Sequence, residues 1–158
     1  MTITLAPLSR NDGDTVSHLK VHPEQLDFVA PIEQMLGELT TGVDFHVVYS
    51  DGEAVGFFKI DRPGVSTFGF VGKNDISMRG FLIGAQHQGK GFGRAAVANL
   101  PEYLRAHYGA PRATLAVDTA NPVALRTYLS GGWENNGEMH DTRAGPAQVL
   151  HLALHQTP

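Results

Sequence analysis

The sequence predicts a mixed α/β fold in which a strand–helix–strand crossover is grafted onto an antiparallel sheet, and three observations predict it. Two runs rich in Val and Phe, Asp44 to Tyr49 and Glu53 to Ile60, flank Ser50-Asp51-Gly52; an Asp-Gly pair between apolar runs is a hairpin signal. The apolar run Ile76 to Ile83 passes directly into the glycine-rich stretch GAQHQGKGFGR, after which Val97, Leu100, Leu104 and Tyr108 recur at helical spacing. A short buried strand, Thr114 to Val117, follows that helix, and strands joined through a helix run parallel.

Along the chain, Ile3 to Leu5 reads as a short first strand, followed by a polar stretch. In VHPEQLDFVAPIEQMLGEL, Leu26, Val29, Ile32 and Met35/Leu36 keep near-helical spacing, and Pro31 divides the run into two short helices. After the hairpin, Gly64 to Asp75 has the composition of a loop, and Ile76 to Ile83 forms a third strand beside the hairpin. Pro101 falls inside the long helix, where an interior proline costs roughly 3 kcal/mol and predicts a kink; Gly109 and Pro111 close the helix. Asn121-Pro122 opens another helix that ends at Gly131-Gly132, and Ala147 to Leu154 reads as the last strand. Residues 1–158 are expected to form a single domain, because no Pro-, Gly-, Ser- or charge-rich stretch is long enough to link two.

Bulk properties exclude several classes of function. A formal charge of -4 and a pI near 6.0 supply no broad basic surface, so nucleic acid is not an expected partner. The absence of cysteine removes thiolate nucleophiles, disulfides and zinc–thiolate sites. No apolar run approaches the ~20 residues of a membrane helix, and the opening residues MTITLAPLSRNDGD lack a basic and an apolar leader segment. Those features lead to the expectation of a cytoplasmic enzyme or binding protein, not a membrane protein.

Three readings compete for the glycine stretch. Gly84 to Lys90 has the spacing G-x-x-x-x-G-K of a nucleotide P-loop, but Gly91 stands where that mechanism needs a Ser or Thr hydroxyl for magnesium. Read as Gly89-x-Gly91-x-x-Arg94 with Asp118 as ribose acid, it approaches a dinucleotide fingerprint; Arg94 replaces the small residue required there, and too little chain remains for a doubly wound sheet. As Gln88-x-x-Gly91-x-Gly93 it is a loop whose amides meet a pyrophosphate at a helix N-terminus, with Lys90 and Arg94 adding full charges. A plain strand-to-helix turn carrying two solvated cations remains the bland alternative.

A second motif follows in Asn121-Pro122-Val123-Ala124-Leu125-Arg126-Thr127-Tyr128. Taken alone, Asn121 is a helix cap and Tyr128 a core aromatic. Together the two segments resemble the GNAT family of acetyl-CoA-dependent N-acetyltransferases, whose Q/R-x-x-G-x-G/A loop and N-x-x-A-x-x-x-Y helix occur here in that order between Glu53 and Leu154. The segment VHPEQLDFVAPIEQML also looks like the N-terminal part of a GNAT branch that includes diamine and spermidine acetyltransferases.

The resemblance implies a GNAT-like acyl-CoA N-acyltransferase fold and direct transfer of acetyl from acetyl-CoA to a primary amine of a small molecule such as a polyamine, with no metal. It places the main chain of Phe81 and Ile83 along the pantetheine arm. Gln88, Gly89, Lys90, Gly91, Phe92, Gly93 and Arg94 surround the pyrophosphate, and Asn121 bonds the pantetheine region. Tyr128 becomes the general acid for the leaving thiolate, and an amide near Ile83 polarises the thioester carbonyl. A homodimer is a family-level expectation. The amine must lose a proton, since its pKa lies near 10, yet the strand before the loop, ISMRGFLI, contains no acid. Asp75, Glu24, Asp27 or a water chain stay open as proton acceptors, and a non-catalytic acyl-CoA or nucleotide sensor stays open as the alternative function. The acidic side chains Glu24, Asp27, Glu33 and Glu38 suit a cationic substrate or simply face solvent. His18 and His22, four apart, lack the third ligand of a metal site, and His151 and His155 read as strand-end residues.

Overall fold

The computed structural model describes residues 2–154, so His155 lies outside the described residues. In chain order the elements are β1 (Ile3–Leu8), α1 (Ile32–Leu36), β2 (Val43–Ser50), β3 (Glu53–Asp61), β4 (Ile76–Ile83), α2 (Phe92–His107), β5 (Arg112–Asp118), α3 (Pro122–Ser130), β6 (Glu134–Thr142) and β7 (Gly145–Ala153). They build one seven-stranded sheet in the order β1-β2-β3-β4-β5-β7-β6. All neighbouring pairs are antiparallel except β4 and β5.

The expected hairpin joins β2 to β3, with Asp51 at φ 49° and Gly52 at φ 84°. Two successive positive φ values give the primed turn whose twist matches the strands, which is why Gly follows Asp there. Pro31 divides the N-terminal helical run as expected: a 3₁₀ turn at Pro23–Asp27 precedes it and α1 follows it. The polar stretch after β1 adds a further 3₁₀ segment, Arg10–Thr15, opened by the Ser9 hydroxyl on the Asn11 amide.

Side chains alternate across β3, so Phe57 and Phe58 are both buried but belong to opposite faces. Phe58 lies with Val97, Leu100 and Leu104 under α2. Phe57 lies with Val16, Leu19, Ile32 and Met35 of the N-terminal segment. Burying each ring contributes roughly 1.5–3 kcal/mol.

Helix α2 runs unbroken through Pro101. The missing N–H leaves the Val97 carbonyl without its usual partner, and Gly131 packs against that turn, where a Cβ would collide with the Val97 side chain. Strand β6 is the element that the sequence does not announce. The sequence assigns no element to Asn135 to Pro146, which the family resemblance places beside the acetyl end as a determinant of substrate choice, whereas the chain forms a hairpin there. Its strand ENNGEMHDT is polar and largely exposed, so it carries no period-2 apolar pattern; pairing with β7 makes it a strand.

Candidate active site

β4 and β5 are paired only at Ile76↔Ala113 and Ser77↔Thr114. Beyond those rungs they part. The separation follows from a bulge in β4, where Gly80 and Phe81 together oppose Phe58 between the rungs Phe57↔Leu82 and Lys59↔Arg79. Gly80 is at φ 67°, and a Cβ there would stand 2.6 Å from Met35 Sδ, so only glycine serves the bend. The opening is a cleft of about 840 Å³ lined by Met78 to Ile83 on one side and Leu115 to Asp118 on the other, with Phe28 and Val29 at its N-terminal wall.

The main-chain groups along this edge are oriented by pairing. Gly84 N–H donates to Val55 O on β3 at 2.9 Å, so the alternation of an extended chain turns the peptide groups of Ile83 and Phe81 toward the cleft. The Ile83 carbonyl accepts the Gln88 side-chain amide at 2.7 Å. Gln88 is therefore turned back onto the strand and onto Gln25, with which it exchanges two hydrogen bonds.

The glycine loop delivers the N-terminus of α2 to the cleft. Gly91 is the cap at φ 84° and offers no side-chain acceptor, so the first amides of the helix, from Phe92, Gly93 and Arg94, have no intrahelical partner. Gly89 (φ 76°) and Gly91 need glycine for their backbone conformation. Gly93 does not, because a Cβ there would meet only Ile83 Cγ1 at an ordinary 3.5 Å. Lys90 and Arg94 are exposed, and among the described residues neither is in an ion pair.

Asn121 caps α3 through Oδ1, which accepts the Ala124 amide at 3.4 Å, so its Nδ2 is spare at the cleft wall. Two turns on, the Tyr128 ring packs edge-on against Phe81 (6.1 Å) and Trp133 (5.9 Å). Among the described residues no group hydrogen-bonds its hydroxyl, and Tyr128 lines the cleft. Burial pushes the phenol pKa well above its ordinary value of 10.0, because the ring environment disfavours the phenolate.

The structure separates the remaining sequence candidates from the cleft. Asp75 is buried, its Oδ2 accepting from both Nε and Nη2 of Arg112 at 2.9 Å, and Glu24 and Asp27 are exposed and do not line the cleft. Asp118, weighed in the sequence only as a ribose acid, does line it. His18 bonds Ala54 O and His22 caps the 3₁₀ turn; among the described residues no three His, Asp or Glu side chains are grouped to hold a metal ion. A second hollow, of about 960 Å³, opens at the far end of the sheet beside Arg10, Asp44, His46, Arg62 and Tyr108. Its charges are committed: Arg10 to the carbonyls of Thr40 and Val43, and Asp44 to Arg62 and Tyr108. Among the described residues, no helix is long and apolar enough to cross a membrane.

The profile of the acetyltransferase (GNAT) family matches residues 14–133, more than half of the chain. The chain belongs to the acetyltransferase (GNAT) family. Solved structures carry the same fold over nearly the whole of this GNAT chain. An aminoglycoside acetyltransferase, AAC(6')-Ib, in complex with coenzyme A and kanamycin is 21% identical, covering 96% of this chain and 95% of its own, with a TM-score of 0.78. Spermidine N-acetyltransferase from Vibrio cholerae with CoA and spermine is 17% identical, covering 96% and 95%, with a TM-score of 0.71. The ribosomal-protein-S18-alanine N-acetyltransferase from Escherichia coli is 17% identical, covering 99% and 97%, with a TM-score of 0.70. No curated protein sequence matches significantly. The GNAT cleft described above is thus the parting of β4 and β5 within a shared fold.

Proposed function

We propose that this GNAT acetyltransferase acts as one domain that transfers the acetyl group of acetyl-CoA directly to a primary amine of a small molecule, with polyamines among its acceptors. The observation that carries the reading is the parting of β4 and β5 beside the bare N-terminus of α2. Its residues suit coenzyme A: helix amides without partners receive a diphosphate, and at Gly93 a methyl would fit the protein itself, touching only Ile83 Cγ1 at an ordinary 3.5 Å. Solved relatives that share the fold bind coenzyme A together with kanamycin or spermine.

In this reading Gly89, Lys90, Gly91, Phe92, Gly93 and Arg94 hold the diphosphate, while the peptide edge at Phe81 and Ile83 and the Asn121 amide hold the pantetheine arm. Gln88 acts through position, keeping the strand end and the loop at a fixed separation. Acetyl-CoA supplies an acyl group already activated as a thioester. Tyr128 holds the proton that the departing thiol needs, and its raised pKa keeps that proton on the phenol at neutral pH. No covalent enzyme intermediate is required, consistent with a chain without cysteine.

The alternative, a binding domain without turnover, draws on the absence of an acid in β4. It is the weaker reading because it leaves the free Tyr128 hydroxyl without a role. Thiol release from acetyl-CoA against a panel of amines tests the choice. Amine-dependent release is the expected result, and tight coenzyme A binding with no release from any amine overturns the transfer reading.

A further inference from the structure

We propose that Asp118 and the aromatic group Phe68, Phe70 and His140 form an acceptor subsite that holds a second, non-reacting ammonium of a multiply charged amine. The inference rests on the acetyltransferase reading above and names what that site selects. Three observations carry it.

First, Asp118 is the only carboxylate among the described residues that line the cleft. Its Oδ1 accepts the Ala120 amide at 2.8 Å, closing the turn between β5 and α3, but its Oδ2 is shielded from water and has no hydrogen-bond partner. A buried carboxylate oxygen without a donor is costly, and the cost is relieved by a charged donor from outside. Asp118 is half-buried and lines the cleft, so a cation bound there lies next to this carboxylate.

Second, alternation sets the side. Val117 packs in the core beneath α2 and α3, so Asp118 faces the opposite side of the sheet. The N-terminal segment covers part of that side, and its residues Phe28 and Val29 form a wall of the same cleft.

Third, Asp118 pairs with Ala147 on β7, and Ala147 pairs with His140 on β6. Asp118 and His140 thus stand on one cross-strand row, two strand spacings or about 10 Å apart along the backbone. Against that imidazole the loop from Gly64 to Asp75 sets Phe70 at 4.8 Å and Phe68 at 5.2 Å, the two phenyl rings stacked 5.2 Å apart. Phe68 is 45% exposed. Phe68, Phe70 and His140 stand outside the residues that line the cleft, on the row that leads away from Asp118; such a row suits an extended alkylammonium, with the carboxylate taking the ammonium hydrogens and the rings taking the methylene chain. Among the described residues the arginine side chains at the cleft are Arg94 at the glycine loop and Arg79, which pairs with Asp61 and Glu38.

Calorimetric titration of spermidine into the protein saturated with coenzyme A measures this site without turnover, alongside kcat/KM for spermidine and n-butylamine. Asp118→Asn keeps an oxygen for the Ala120 amide and removes only the charge. It is expected to weaken spermidine binding, and to lower the spermidine to n-butylamine ratio of kcat/KM, by about 10- to 100-fold. Phe68→Ala, a surface change, is expected to lower both by about 3- to 10-fold. Unchanged spermidine affinity in Asp118→Asn, or a wild-type protein that does not prefer spermidine, overturns the subsite. Spermidine binding that depends on Asp118 without thiol release from any amine supports the subsite and overturns the transfer reading instead.

Discussion

The side chains of Gln25 and Gln88 exchange two amide hydrogen bonds, 3.1 Å and 3.0 Å long, across 63 residues of sequence. Gln88 also donates to the Ile83 carbonyl, and Gln25 accepts the His22 amide. One residue pair therefore ties the N-terminal 3₁₀ turn, the end of β4 and the start of the glycine loop into a single unit. The N-terminal segment that walls the cleft and the glycine loop are held by the same contacts.

Replacing Gln88 by Ala cuts that tie and leaves the Ile83 carbonyl without its donor. A loss of about 1–2 kcal/mol of stability is expected, with faster amide exchange in residues 22–28. Hydrogen exchange followed by mass spectrometry checks it; unaltered protection in that segment would show that the amide pair does not hold it.

Tyr128→Phe separates packing from chemistry. Among the described residues nothing hydrogen-bonds the hydroxyl, which belongs to a residue lining the cleft, so the melting temperature is expected to stay within about a degree or two, while turnover falls roughly 10² to 10⁴-fold. Acetyl-CoA affinity is expected to change little. A variant that turns over at the wild-type rate removes the phenol from the mechanism.

Gly93 and Gly91 give opposite expectations. At Gly91 the φ of 84° strains any other residue, so Gly91→Ala is expected to cost about 1 kcal/mol of stability whatever binds. At Gly93 the backbone is helical and a Cβ would make only an ordinary contact with Ile83 Cγ1 at 3.5 Å. Gly93→Ala is therefore expected to fold normally and to lose at least about tenfold in coenzyme A affinity, because close approach of the diphosphate is what the missing methyl permits. Calorimetry with coenzyme A, set beside thermal melts of both variants, distinguishes these effects; normal affinity in Gly93→Ala would move the diphosphate elsewhere.

Acid is expected to destabilise the protein in two steps. Burial lowers the His46 pKa from 6.5 to about 4, and the ring is satisfied in its neutral form: Tyr103 O–H donates to Nδ1, and Nε2–H donates to the Tyr108 oxygen, whose proton goes to Asp44. The unfolded chain takes up this proton first, so stability drops as pH falls from about 6.5 to 4. For Glu38, burial opposes ionisation, but hydrogen bonds from Lys59 and Arg79 and their charges outweigh it and bring the pKa from 4.5 to about 2. That contribution is full above 4.5 and is lost between 4.5 and about 2. Melting curves of wild type and Glu38→Gln are expected to differ most above pH 5 and to converge near pH 2; a gap independent of pH would mean that the ionised Glu38 contributes nothing.

By itself the sequence determined the elements whose local signal agrees with their final environment. The Asp51-Gly52 turn, the strand Ile76 to Ile83, the helix begun by Asn121-Pro122 and the conformational need for glycine at positions 89 and 91 are all written in residues a few positions apart. The family, and the glycine loop at the N-terminus of α2 to which we assign the diphosphate, follow from those short patterns. Tertiary structure alone decided the rest, because it depends on residues distant in sequence meeting in space. Strand β6 exists through pairing with β7 and not through its own polar composition. Gln88 answers to Gln25 and Ile83, and Asp75, a candidate proton acceptor on the sequence, is consumed by Arg112. Asp118 reaches the cleft because β4 bends at Gly80 and parts from β5 after Ser77 and Thr114. A local pattern reports backbone preference over a few residues; which carboxylate keeps a free oxygen is settled only when every other partner in the fold has been assigned.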